Sequence, residues 1–215
     1  MQIQVTIANL SRYRTNFPRD TELTFPTTTE RVQRALREIA VDGFICSEII
    51  ILESRSDISG VQVQIGEYAS LDEINYLASR LNCLSPDEQE KFAAAVQHGE
   101  YSFALQDLIN LTYNLDCFEL YPDISDSEEY GRMLVEMGGE FVLPEAAKPY
   151  FDYEAYGETA SINDGGTFTK QGYILNNQSR FEKVYDGEHV PAEYKVFKYP
   201  PRQKSHSKPP AAHER

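Results

Sequence analysis

The chain has 215 residues, 41% of them apolar, and a formal net charge of −14. That is enough apolar material for folded cores, and no apolar run is long enough to span a membrane. The start, Met1 to Ala8, is neither basic nor a signal-peptide core, so the expectation is a soluble, cytosolic protein. Cys46, Cys83 and Cys117 are odd in number and far apart. They read as reduced, structural thiols, without the close pairing that zinc requires.

In chain order, Gln2 to Ala8 alternate polar and apolar and predict a strand. Leu23-Thr24-Phe25 predicts another, closed by Pro26. Thr27 and Glu30 have capping-box spacing, ahead of a helix to about Ala40 with Val32, Leu36 and Ile39 on one face. Gly43 ends it. Ile49 to Leu52 reads as a buried strand, and Val61, Val63 and Ile65 alternate with glutamines as a further one. These make a small α+β unit over residues 1–66.

Residues 67–114 read as a helical bundle. Ser70 and Glu73 form a second box before Leu71, Ile74, Leu77, Ala78 and Leu81 at helical spacing. Ser85 and Glu88 form a third, with Pro86 in the first turn, and that helix runs to His98-Gly99. A third helix fits Ser102 to Asn114.

Residues 115–175 read as an acidic mixed unit. Cys117 to Tyr121 predicts a short strand, and Ser125 with Glu128 a cap for a helix through Met133, Leu134 and Met137. Pro144 to Tyr150 fits one more short helix. Asn163-Asp164-Gly165-Gly166 is a turn signal, so Ala160-Ser161-Ile162 and Thr167-Phe168-Thr169 predict a hairpin, with Tyr173-Ile174-Leu175 added to the sheet. Residues 176–215 are an extension ending in a flexible, basic tail whose composition predicts disorder. From Lys195 onward the tail has six basic residues and one acidic one. It is read as solvated, with folding back onto the acidic body or binding an anion as the alternatives. The fold class is α+β, an elongated chain of three small domains.

Charge is unevenly distributed. Residues 1–39 carry a net +2, residues 40–160 a net −19 and residues 161–215 a net +3. Such a middle segment repels nucleic acid and membranes and steers toward a basic partner. Residues 100–158 hold 14 acids against Arg132 and Lys148 alone. Ordinary surfaces intersperse both signs, because self-repulsion destabilises a compact state. The segment also holds Phe118, Leu120, Tyr121, Leu134, Val135, Phe141 and Tyr153, so it has the means to fold. A folded surface that carries this repulsion points to a function that needs the charge. The candidate surface is Asp107, Asp116, Glu119, Asp123, Asp126, Glu128, Glu129, Glu136, Glu140, Glu145, Asp152, Glu154 and Glu158.

Catalytic patterns are missing. The four histidines are His98, His189, His206 and His213, and none sits in a triad-like context. There is no G-x-S-x-G, no phosphate loop, no G-x-G-x-x-G and no H-E-x-x-H. Asp123, Asp126, Glu128 and Glu129 are close enough to consider for a metal, but three of them fall in a capped first turn, where the helix dipole favours carboxylates. The expectation is no enzyme, no cofactor and no metal.

Duplex DNA presents one charge per about 1.7 Å of its axis, whereas one helix stripe offers a carboxylate about every 5.4 Å. Several helices and loops laid together, or two copies of the chain, approach the denser pattern. Such a surface exploits the sequence-independent phosphate term that DNA-binding proteins rely on. The competing reading is an acidic adaptor for another basic DNA-binding or nucleoid protein.

Several blocks carry a family resemblance: Ile7-Ala8-Asn9-Leu10-Ser11-Arg12-Tyr13, Asn110 to Asp116, Tyr121-Pro122, Glu129-Tyr130-Gly131-Arg132, Tyr150-Phe151-Asp152-Tyr153-Glu154-Ala155-Tyr156-Gly157, Asn163 to Thr169 and Gly172-Tyr173-Ile174. Over about residues 3–175 the chain resembles the ArdA-type antirestriction proteins. The resemblance implies a bacterial, cytoplasmic inhibitor carried on mobile elements, built of three domains and dimeric. It implies mimicry of bent B-form DNA in the DNA-binding groove of type I restriction-modification enzymes, without catalysis, cofactor or direct nucleic-acid binding. Phe118, Leu120 and Tyr121 are the candidate dimer-interface residues.

Overall fold

A computed structural model describes residues 1–13, 19–137 and 143–201 of the chain. The architecture is mixed α+β, with seven helices and two three-stranded antiparallel sheets among the described residues.

The first sheet has the order β2 (Asp20–Phe25), β1 (Ile3–Asn9), β3 (Ile49–Ser56). Alternation puts Ile3, Val5 and Ile7 of the central strand in the core, each at most 1% exposed. The short helix α1 (Leu10–Tyr13) follows β1 directly, and α2 (Thr29–Glu38) packs on β2 through Val32, Ala35 and Leu36. Thr28, one residue later than the expected box, caps α2 by accepting from the Arg31 amide. The end of β1 is tied to the end of α2 by buried Asn9, whose amide donates to the Ile39 and Ala40 carbonyls, 3.1 Å each.

Two sequence expectations fail nearby. Val61 to Gln64 is a 3-10 turn and not a strand, with Val61 buried and Val63 exposed. The box at Ser70 and Glu73 does not form: Ser70 is the N-cap of α3 (Leu71–Cys83) without a side-chain bond. The Glu73 carboxylate instead accepts from the Tyr185 hydroxyl at 2.9 Å.

Helix α4 (Pro86–His98) has the complete Ser85–Glu88 box, and it ends at Gly99 as read from the sequence. The third helix is shorter than expected, α5 (Leu105–Leu111). One cluster of buried apolar residues runs from Ile3 in the first sheet through α2 to α5, and on to Phe118, Ile174, Tyr185, Val190 and Val196.

The second sheet has the order β4 (Phe118–Tyr121), β6 (Gly172–Asn176), β5 (Thr167–Thr169). Beside it lie α6 (Ser127–Glu136) and α7 (Tyr153–Asp164), packed closely on one another. The expected hairpin is corrected here. Ala160-Ser161-Ile162 is the end of α7, and Asn163 to Gly166 terminates it through Gly165 in the left-handed region, φ 69°. The hairpin of the sheet is β5–β6, pairing Thr167 with Ile174. Pro144 to Tyr150 contributes only a 3-10 turn at Lys148–Tyr150.

The extension follows β6. As far as Pro201 it lies on the body, with Tyr185, Val190 and Val196 each buried, and much of the attachment is through its backbone. Residues 202–215, the rest of the expected flexible tail, lie outside the described residues.

Candidate acidic interface

Of the thirteen carboxylates singled out by sequence, eleven are exposed, Asp107 on α5 is half-buried, and Glu140 lies outside the described residues. They come from different elements. Asp116 precedes β4 and Glu119 lies on it, while Asp123 and Asp126 are in the loop before α6. Glu128, Glu129 and Glu136 are on α6, Glu145 is in the following loop, Asp152 is the N-cap of α7, Glu154 is in its first turn and Glu158 is midway along it. On α7, Glu154 and Glu158 are four residues apart and share one face.

The fold uses some of these acids locally. Asp126 caps α6 by accepting from the Glu129 amide at 2.9 Å, and Glu129 accepts from the Ser125 amide and hydroxyl at 2.7 and 2.8 Å. The cap is therefore Asp126, not the expected Ser125. Asp152 caps α7 through the Ala155 amide, and Glu119 accepts from the Tyr121 hydroxyl. Burial first, then that bond, raises the Tyr121 phenol above its ordinary range.

The segment's two cations are both engaged. Arg132 meets Glu128 at 2.6 Å, one turn away, and its guanidinium lies over the Tyr153 ring. Lys148 meets Glu145 at 2.5 Å. Each cation is held above its ordinary range, first by that hydrogen bond. Such exposed pairs contribute little to stability, but they occupy the only positive charges of residues 100–158. Asp123, Glu154 and Glu158 have no side-chain hydrogen bond or ion pair with the described residues, so their charge faces solvent.

The candidate interface residues on β4 are placed unevenly. Phe118 is 1% exposed and its ring stands edge-on to His98, while Leu120 and Tyr121 are half-buried. Strand β4 is an edge of its sheet. Asp87, Glu88 and Glu90, outside those thirteen, are also exposed, on the first turns of α4. The net −19 of residues 40–160 is the sequence signal that includes them.

Among the described residues, no group of three or more His, Cys, Asp or Glu side chains is arranged to hold a metal ion. No described helix is long and apolar enough to cross a membrane. The structure defines a mixed α+β protein whose described candidate carboxylates are nearly all exposed. The family model for antirestriction protein (ArdA) matches residues 5–175, and the chain belongs to that family. Membership implies an antirestriction function. No curated protein matches the sequence.

Proposed function

We propose that the chain inhibits type I restriction-modification enzymes by occupying their DNA-binding groove with its acidic face, acting as a mimic of B-form DNA. The observation that carries this reading is the excess of exposed carboxylates over residues 107–158, where both cations are already paired within the chain. A groove built to bind duplex gains affinity from phosphate contacts whatever the sequence, and a dense carboxylate surface draws on the same attraction. Inhibition then needs no catalysis, cofactor or binding of nucleic acid by the inhibitor. The units 1–66, 67–114 and 115–175 are proposed as successive segments of the molecule. A second copy extends the charged surface, and the edge strand β4, with Leu120 and Tyr121, is the proposed place for it.

Competition between the protein and a DNA duplex for a purified type I enzyme tests the reading. Mutually exclusive binding, weakened by salt, is the expected result. Simultaneous binding of both overturns it. Capture of an unrelated basic DNA-binding protein, with no effect on the restriction enzyme, would favour the adaptor reading instead.

A further inference from the structure

Beyond the family match, which ends at residue 175, and the end of β6, residues 177–201 form an arm whose one regular element is a short 3-10 turn, Ala192–Tyr194. Its attachment is unusual because buried asparagines read its backbone. Asn114, 3% exposed, accepts from the Glu182 amide at 2.7 Å and donates to the Glu182 carbonyl at 2.9 Å. Asn110, 2% exposed, does the same to Tyr185, at 2.7 and 2.9 Å. Further along, Asn75 donates to the Tyr194 carbonyl, and Asp72 accepts from the Val196 and Phe197 amides at 2.6 and 2.7 Å.

Each end of the arm is also fixed. Asn177 bonds the Asp116 and Cys117 carbonyls beside the second sheet. Tyr199 donates to the Ser47 carbonyl, accepts from the Gln33 side chain at its own carbonyl, and lays its ring on Gly43. Rings reinforce the path, Phe181 stacking on Tyr101 at 3.9 Å and Tyr194 on Tyr76 at 4.3 Å.

We propose that residues 177–199 are a brace that holds the start of the second sheet, the helices α3 and α5, and α2 with the loop before β3 in one fixed arrangement. Asn110 and Asn114 are its positioning residues. A carboxamide that satisfies both the N–H and the C=O of one residue acts as a short piece of strand partner, so it grips the chain independently of the arm's side chains. Releasing the arm exchanges these bonds for bonds to water, a modest net loss for each, and exposes the buried apolar Tyr185, Val190 and Val196. The arm is therefore an integral member of the fold. The inference rests on geometry and stands apart from the proposed inhibition.

Hydrogen exchange on the full chain tests it with two variants. Glu182→Pro deletes one N–H that Asn114 reads and alters only an exposed arm residue. Asn110→Leu deletes the other grip from the body side. Amides 183–199 should exchange at least tenfold faster in each. Protection of α3 and of residues 44–47 should fall with them, while β1 and α4 stay protected. Two results overturn the proposal: wild-type protection of the arm, or a loosened arm with α3 and residues 44–47 unchanged. Global unfolding of Glu182→Pro also counts against it, because loss of one amide leaves the apolar cores in place.

Discussion

Gly131 and Gly157 meet where α6 crosses α7, and neither has room for one more carbon. A Cβ on Gly157 would stand 1.8 Å from the Ser127 carbonyl oxygen, and one on Gly131 would stand 2.1 Å from that of Tyr153. The two helices that carry Glu128, Glu129, Glu136, Glu154 and Glu158 are thus held backbone to backbone. Gly157→Ala should cost about 3 kcal/mol, because backbone cannot be displaced as a side-chain tip can. Urea unfolding followed by circular dichroism measures it, and an unchanged midpoint would refute the close approach.

The exposed acids should act in number and not singly. Glu158→Gln should lower inhibition of a type I enzyme by less than about fivefold, as expected for an exposed pair. Combining Asp123→Asn, Glu136→Gln, Glu154→Gln and Glu158→Gln should reduce it cumulatively, and the inhibition that remains should be less sensitive to salt. Titrating each variant in a cleavage assay at two ionic strengths decides this. Abolition by the single change, with the fold intact, would argue for a specific contact instead.

Two serines at helix starts should behave differently. Ser85→Ala removes a hydroxyl that accepts from the Glu88 amide, and should cost about 1 kcal/mol. Ser70→Ala removes a hydroxyl with no capping bond, and should be close to neutral. Thermal melts of the two variants, run in parallel, give the contrast, and equal losses would contradict it.

The turn at Asp186 to His189 should depend on pH from both sides. Amides of Glu188 and His189, then the His189 ring at 2.7 Å, hold the Asp186 carboxyl well below its usual range. The same bond raises the His189 imidazole. A lowered carboxyl stabilises the fold above its unfolded value and loses that contribution as pH falls through its folded value. A raised imidazole contributes fully below its unfolded value and loses that contribution as pH rises through its folded value. Both are complete between roughly pH 4 and 6.5. An NMR titration of His189 should show its pKa falling in Asp186→Asn, and no change would break the link.

Features set by short-range chemistry were legible in the sequence. The Ser85–Glu88 box, the alternation of β1 and the end of α4 depend on residues within a few positions, and the structure has them. The failures share a cause at longer range. Glu73 has the spacing to cap α3, but its carboxylate is taken by a hydroxyl 112 residues away. Asp72, beside it, is taken by amides more than 120 residues away. Asn163 to Gly166 failed differently: a left-handed glycine suits both a hairpin turn and a helix end, and local composition cannot choose between them. For the acidic face, exposure followed from charge, since isolated carboxylates rarely bury. Which acids double as caps, and which cations are already paired, depended on helix starts that the spacing misplaced by one residue at Asp126.

The arm's far attachment has a bearing on synthesis. Tyr199 meets Ser47 across 152 positions and Gln33 across 166. A chain emerging from its N-terminus can close β1 on β2 and β3 long before those partners exist. The polar side chains of Asp72, Asn75, Asn110 and Asn114 must then wait, hydrated, until residues 182–197 have been made, so a later stretch of chain completes an earlier one.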